Sequence, residues 1–169
     1  NAYCQDNPVT WLDWSVADEA LIAFVAGLGH LRQRYPGLRH PQWFRGESPA
    51  GEPSPDIAWR TADGMRPDDR AWELPDGRLL CCVITVGDGP EPTREKLMLI
   101  LMAGEAPVEV RLPEGDWQVV LDTARGWVTG NSGPAPAPVA SSLLVTPVTM
   151  LVLAQPLPRH NQPPNENTA

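Results

Sequence analysis

The sequence predicts a mainly β chain: an antiparallel β-sandwich preceded by one long α-helix. Three observations carry that expectation. The 169 residues include 20 prolines and 14 glycines, roughly a fifth of the chain where average usage gives about 12%. Such dense punctuation suits short strands joined by turns. Seven short apolar runs follow residue 56. Only one stretch, near the amino end, has helical spacing with start and stop signals on both sides.

That helix is expected over Val16 to Arg34, with Ser15 as N-cap and Asp18 at its third position in a capping box. Asp18 and Glu19 favour the positive end of the helix dipole, and Arg32 and Arg34 the negative end, before Tyr35-Pro36-Gly37 stops it. Leu21, Phe24, Leu28 and Leu31 form a core-facing stripe. The run from Ala20 to Ala26 is apolar on other faces too, through Ile22, Ala23 and Val25. A helix greasy over most of its circumference is covered on more than one side. One sheet covers one side, so a second covering layer is expected outside the chain.

Residues 38–56 read as an irregular connection, P-Q-W-F-R-G followed by a Gly/Pro/Ser stretch. Strands are expected at 57–60, 79–86, 97–102, 108–112, 117–121, 143–145 and 150–154. Val108, Val110 and Leu112 alternate with Glu109 and Arg111, the pattern of a half-buried strand. The runs at 79–86 and 97–102 do not alternate and are expected at the sheet centre, covered on both faces. Asp63-Gly64, Asp76-Gly77 and Asp88-Gly89 read as turns, Gly130 to Pro138 as a low-complexity loop, and the Pro-rich end as a tail.

Charge narrows the function classes. Thirteen basic and 21 acidic side chains leave a net −8, which argues against nucleic acid or an anionic membrane as partner. No run of 18 apolar residues is present to span a bilayer. The amino end lacks a signal-peptide pattern, and its first residue is asparagine rather than methionine, as in a chain that begins inside a larger gene product. An odd set of cysteines, Cys4, Cys81 and Cys82, is a poor disulfide framework and fits a reduced, cytoplasmic compartment.

No metal or cofactor site is expected. His30, His40 and His160 fall in a helix, a loop and the tail, without zinc-ligand spacing. No nucleophile elbow or phosphate-binding loop is present, and Cys81-Cys82 in an apolar strand reads as core thiols. Carboxylates abound, but Asp6, Asp13, Asp18, Glu19, Asp56, Asp63, Asp68, Asp69 and Asp122 mostly fall at a helix start or in turns, where Asp serves the backbone. No catalytic residue is assigned. Of seven tryptophans, Trp11, Trp14, Trp59 and Trp117 occupy ordinary packing places. Trp72 and Trp127, expected in loops, are the better candidates for stacking on a sugar ring.

N-A-Y-C-Q-D-N at 1–7 and W-L-D-W at 11–14 resemble the segment near the last barrel strand of bacterial isoamylase-type glycogen debranching enzymes, in glycoside hydrolase family 13 of the α-amylase superfamily. The likeness continues through P-Q-W-F-R-G at 41–46, D-I-A-W at 56–59, Trp72, P-V-E-V-R-L-P at 107–113 and W-Q-V-V-L-D-T at 117–123. The resemblance implies that residues 1–37 end a (β/α)8 catalytic barrel, as the loop after the eighth strand and the final helix. Residues 38–56 would then connect to a carboxyl-terminal amylase-type β-sandwich at 57–155, with a tail at 156–169. It implies that the catalytic carboxylates lie upstream, that the partner is the barrel, and that the substrate of the whole is branched α-glucan such as glycogen. Tyr3, Gln5, Asp6 and Asn7 would stand near substrate on the barrel's carboxyl face; the same residues could simply brace the loop. Without the resemblance, the residues also fit a standalone sandwich that binds glycans or a protein.

Overall fold

A computed structural model describes residues 3–48, 54–86, 95–129 and 135–155. The proline-rich tail, the Asp88-Gly89 turn and the first part of the Gly130 to Pro138 loop lie outside the described residues.

The helix is shorter than expected. It runs over Glu19–Arg34 (α1), about 24 Å at 1.5 Å per residue. Asp18, not Ser15, is its N-cap, and its carboxylate accepts the Leu21 N–H at 3.0 Å. Ser15 belongs to a separate 3₁₀ turn, Trp14–Val16, capped by Asp13, which accepts from both the backbone N–H and the hydroxyl of Ser15. Two aspartates five residues apart each nucleate their own turn, and extended backbone at Ala17 and Asp18 separates them. At the far end the Tyr35 N–H closes on the Leu31 carbonyl, and Pro36 opens a second 3₁₀ turn, Pro36–Arg39.

The strands are Ile57–Arg60 (β1), Leu79–Val86 (β2), Glu95–Met102 (β3), Val108–Arg111 (β4), Gln118–Asp122 (β5), Trp127–Val128 (β6), Ala137–Pro138 (β7), Ser142–Val145 (β8) and Thr149–Gln155 (β9). All pairings are antiparallel. The main sheet has the order β1-β2-β3-β9-β5-β6, with β7 beside β5, and β4 and β8 form a separate two-stranded sheet. The last of the described strands therefore sits near the centre, between β3 and β5. A one-turn helix, Asp69–Trp72 (α2), capped by the Asp68 carboxylate on the Ala71 N–H, was not expected from the sequence.

The unbroken apolar runs of β2 and β3 are buried on both faces. Register explains how. Cys81, Ile100 and Leu151 lie side by side, as do Val83, Met98 and Leu153, and this face packs on Val110 and Val145 of the small sheet. Cys82, Leu99 and Val152, with Ile84, Leu97 and Ala154, face the other way and meet Leu31. Adjacent cysteines thus enter two different cores, as the period of two in a strand demands.

α1 covers only part of that second face. Phe24, Leu28 and Leu31 pack inward. Gly27 permits the approach, because a Cβ there would stand 2.3 Å from Cγ1 of Val128. Leu21, expected in the inward stripe, is instead 57% exposed.

The described parts of the connection are tied to the sheet and to each other. Phe44 packs into the second core and stacks on His40, and the Asp56 carboxylate accepts backbone N–H bonds at 2.7 Å from Arg45, Gly46 and Ile57. Burial pushes the Asp56 carboxyl up, but these backbone donors outweigh it and hold it below its ordinary 3.8.

Candidate functional site

The opening loop folds on itself. Tyr3 and Cys4 have left-handed backbone (φ 48° and 57°). The Asn7 side chain accepts the Val9 N–H at 3.0 Å and donates to Oε1 of Gln5 at 3.1 Å. Thr10 Oγ1 reaches the carbonyls of both Gln5 and Asn7, and the Trp11 indole donates to the Asp6 carboxylate. Gln5, Asp6 and Asn7 are therefore brought together with Tyr3 in one exposed loop, where the polar side chains hold each other.

Beyond this loop the surface turns apolar. Val9, Trp11, Leu12, Trp14 and Val16 are all exposed, and on α1 so are Leu21, Ile22 and Val25. At 3.6 residues per turn, Ile22, Val25 and Gly29 share one face, and a Cβ at Gly29 would meet nothing within 4 Å. Eight large apolar side chains in this amino-terminal part are thus left in water.

Trp72 and Trp127 do not come together. Trp127 lies in β6, half-buried against the core, rather than in a loop. Trp72 closes α2 and stands edge to face with Trp59, ring centroids 5.7 Å apart at 82°. Two clefts of about 570 and 590 Å³ meet at Trp72 and Arg60. Trp59 escaped the sequence reading because its place in a strand suggested plain packing, yet it is 38% exposed.

Five aspartates serve structure. Asp13, Asp18 and Asp68 cap helices, Asp56 ties the connection, and Asp122 accepts from the backbone of Ala124 and Arg125. Among the described residues no cluster of His, Cys, Asp or Glu could hold a metal ion, and no helix is long and apolar enough to cross a membrane.

Desolvation pushes the Cys81 thiol up to about 12 and Cys82 to about 11, whereas Cys4 is exposed. At neutral pH one thiol should react promptly with an aromatic disulfide reagent in the native chain, and all three after unfolding. Fast reaction of two thiols in the native state would contradict this core.

Glu95 is the one charged residue among the described residues that is buried, its carboxylate accepting the Gly37 N–H at 3.0 Å. Burial raises it above its ordinary 4.5, although the Gly37 bond and the charges of Arg34 and Arg39 pull it back. Between the ordinary and the raised value the folded chain keeps a proton that the unfolded chain loses. Its contribution is therefore fully present below 4.5 and is lost as pH rises through the folded value. Glu95→Gln should accordingly gain stability relative to the parent as pH rises from 4 to 7 in urea titrations. A difference that stays flat with pH would refute the burial argument.

No protein-family model matches the chain. It is similar to the glycogen debranching enzyme of Serratia proteamaculans (strain 568), with 38% identity over 120 residues, 71% of this chain and 16% of that protein. Glycogen debranching enzymes of Yersinia pseudotuberculosis serotype O:1b (strain IP 31758) and Yersinia pestis bv. Antiqua (strain Angola) are each 34% identical over 119 residues, 70% of this chain and 16% of theirs. The chain thus spans about a sixth of the length of the curated relatives it matches. Over most of its own length, it is related to the glycogen debranching enzymes.

Proposed function

We propose that this chain is the carboxyl-terminal part of an isoamylase-type glycogen debranching enzyme, in glycoside hydrolase family 13. The whole protein hydrolyses α-1,6-glucosidic branch linkages in cytoplasmic glycogen with a pair of carboxylates. Residues 1–37 complete the catalytic barrel as its last loop and helix, 38–56 connect, 57–155 form the amylase-type sandwich, and 156–169 are a tail. The piece supports the barrel and supplies no catalytic carboxylate. Tyr3, Gln5, Asp6 and Asn7 sit at the rim of the substrate cleft.

The observation that carries this reading is the outward face of α1 and the loop before it. Ile22, Val25, Trp11 and Trp14 are large, apolar and exposed, a surface that a barrel's strands and neighbouring helices would cover. The carboxylates of Asp13, Asp18, Asp56, Asp68 and Asp122 are engaged with backbone, which fits a supporting role.

Branched glucan tests it. A longer protein with an upstream barrel should release linear oligosaccharides, and the 169-residue chain alone should release none. Release by the chain alone overturns the supporting role; no release by the longer protein overturns the debranching assignment. The exposed Trp59–Trp72 pair favours a second reading, a standalone module that binds glycans. On that reading the chain binds them and a longer protein releases no oligosaccharide from branched glucan.

A further inference from the structure

The Trp59–Trp72 pair has a setting unlike that of the core aromatics. Trp117 is 1% exposed, whereas Trp72 keeps 52% of its surface in water. Leaving that much indole in water forgoes burial worth about 25 cal/mol per Å². Both rings are nonetheless held. Trp59 is fixed by the β1–β2 register opposite Cys82, Trp72 by α2 and its Asp68 cap, and the two by their edge-to-face contact. The adjoining Arg60 is anchored through Nη1 to the Gly64 carbonyl at 2.7 Å, and its Nε is buried without a hydrogen-bond partner among the described residues. The platform is therefore preorganised rather than assembled on binding.

The cleft of about 590 Å³ beside it is lined by both tryptophans together with Arg45, Arg66 and Asp69. An aromatic wall with a few converging polar groups is the composition of a small-ligand site. We propose that this cleft binds glucose units of an α-glucan chain, the apolar face of a ring lying on an indole and its hydroxyls meeting Arg66 and Asp69.

Three features select that ligand class. A protein partner covering the cleft would strip water from Arg66 and Asp69, which costs more than their pairing returns unless the geometry is very good. A glucan supplies hydroxyls that donate to the carboxylate and accept from the guanidinium. The net −8 of the chain works against a polyanion at long range, although Arg45, Arg60 and Arg66 outnumber Asp69 in the cleft itself. The choice of an α-glucan among neutral glycans rests on the debranching reading above.

The test uses the full chain in native gels cast with glycogen, and quenching of its tryptophan fluorescence by maltoheptaose. Both should show saturable binding. Trp72→Ala should weaken it at least about tenfold, with its circular dichroism unchanged. Arg66→Ala and Asp69→Asn, both at exposed positions, should each weaken it about three- to tenfold and stand in should Trp72→Ala fold poorly. A parent chain that glycogen does not retard, or variants that all bind as the parent does, overturn the site. Binding to mannan or xylan but not to glycogen, lost in Trp72→Ala, overturns the α-glucan assignment. Oligosaccharide release by the longer protein does not depend on these outcomes, so the debranching reading stands or fails separately.

Discussion

Trp117→Ala should lower the unfolding free energy by about 3–5 kcal/mol, the largest loss expected from a single side chain here. Trp117 is the largest fully buried residue among those described. It enters the core between the main sheet and the small one, with Val110, Leu112, Val145 and Leu153 in the same cluster. Its removal leaves a void that the strands around it cannot close, since β5 is held on both sides by β9 and β6. The indole also donates to the Pro113 carbonyl at 2.8 Å, and that acceptor would lose its bond. Trp117→Phe separates the two effects. It keeps most of the apolar volume and should cost roughly 1–3 kcal/mol through the missing hydrogen bond and the smaller ring. Urea titration with an unchanged slope would measure both, and a loss under about 1 kcal/mol for Trp117→Ala would refute this packing.

The second expected result depends on context. Placing glutamates at Ile22 and Val25 together should change the stability of the isolated chain by less than about 0.5 kcal/mol per site. Both side chains stand in water, at and beyond the end of the first turn, where the helix dipole adds little. In the longer protein the same double variant should lose at least about 3 kcal/mol and release far less oligosaccharide from branched glucan, because two unpaired charges would be forced into the covered face. Thermal midpoints of the two forms decide it. Equal tolerance in both would mean that nothing docks on this face. A large loss in the isolated chain would mean that the chain already covers it.

Strand positions were legible because burial leaves a local signature. β1 and β2 begin and end where the apolar runs do, and the other long strands lie within two residues of expectation. The two-residue strands β6 and β7 were not, since such short pairings carry no periodicity and exist only because β5 offers them an edge. The helix start was misread for a different reason. Ser15 satisfies the capping-box spacing, but Asp13 competes for it through both its N–H and its hydroxyl, which frees Asp18 to cap α1 instead. Leu21 fits the inward stripe by spacing alone, yet it is absent from the packed cluster that takes Phe24, Leu28 and Leu31 and stays in water.

The pattern of residues was sufficient for a two-faced sheet with opposed Cys81 and Cys82, and for a helix whose apolar surface exceeds what one layer can cover. Those properties depend on neighbours within a turn or a strand, where side-chain direction repeats with a fixed period. Strand order, with β9 inserted between β3 and β5, was settled only by folding, as were the Gly27–Val128 approach, the Glu95–Gly37 bond and the meeting of Trp59 with Trp72. Such contacts join segments far apart along the chain, and their selection depends on shape and loop closure in three dimensions, for which a linear pattern holds no repeating mark.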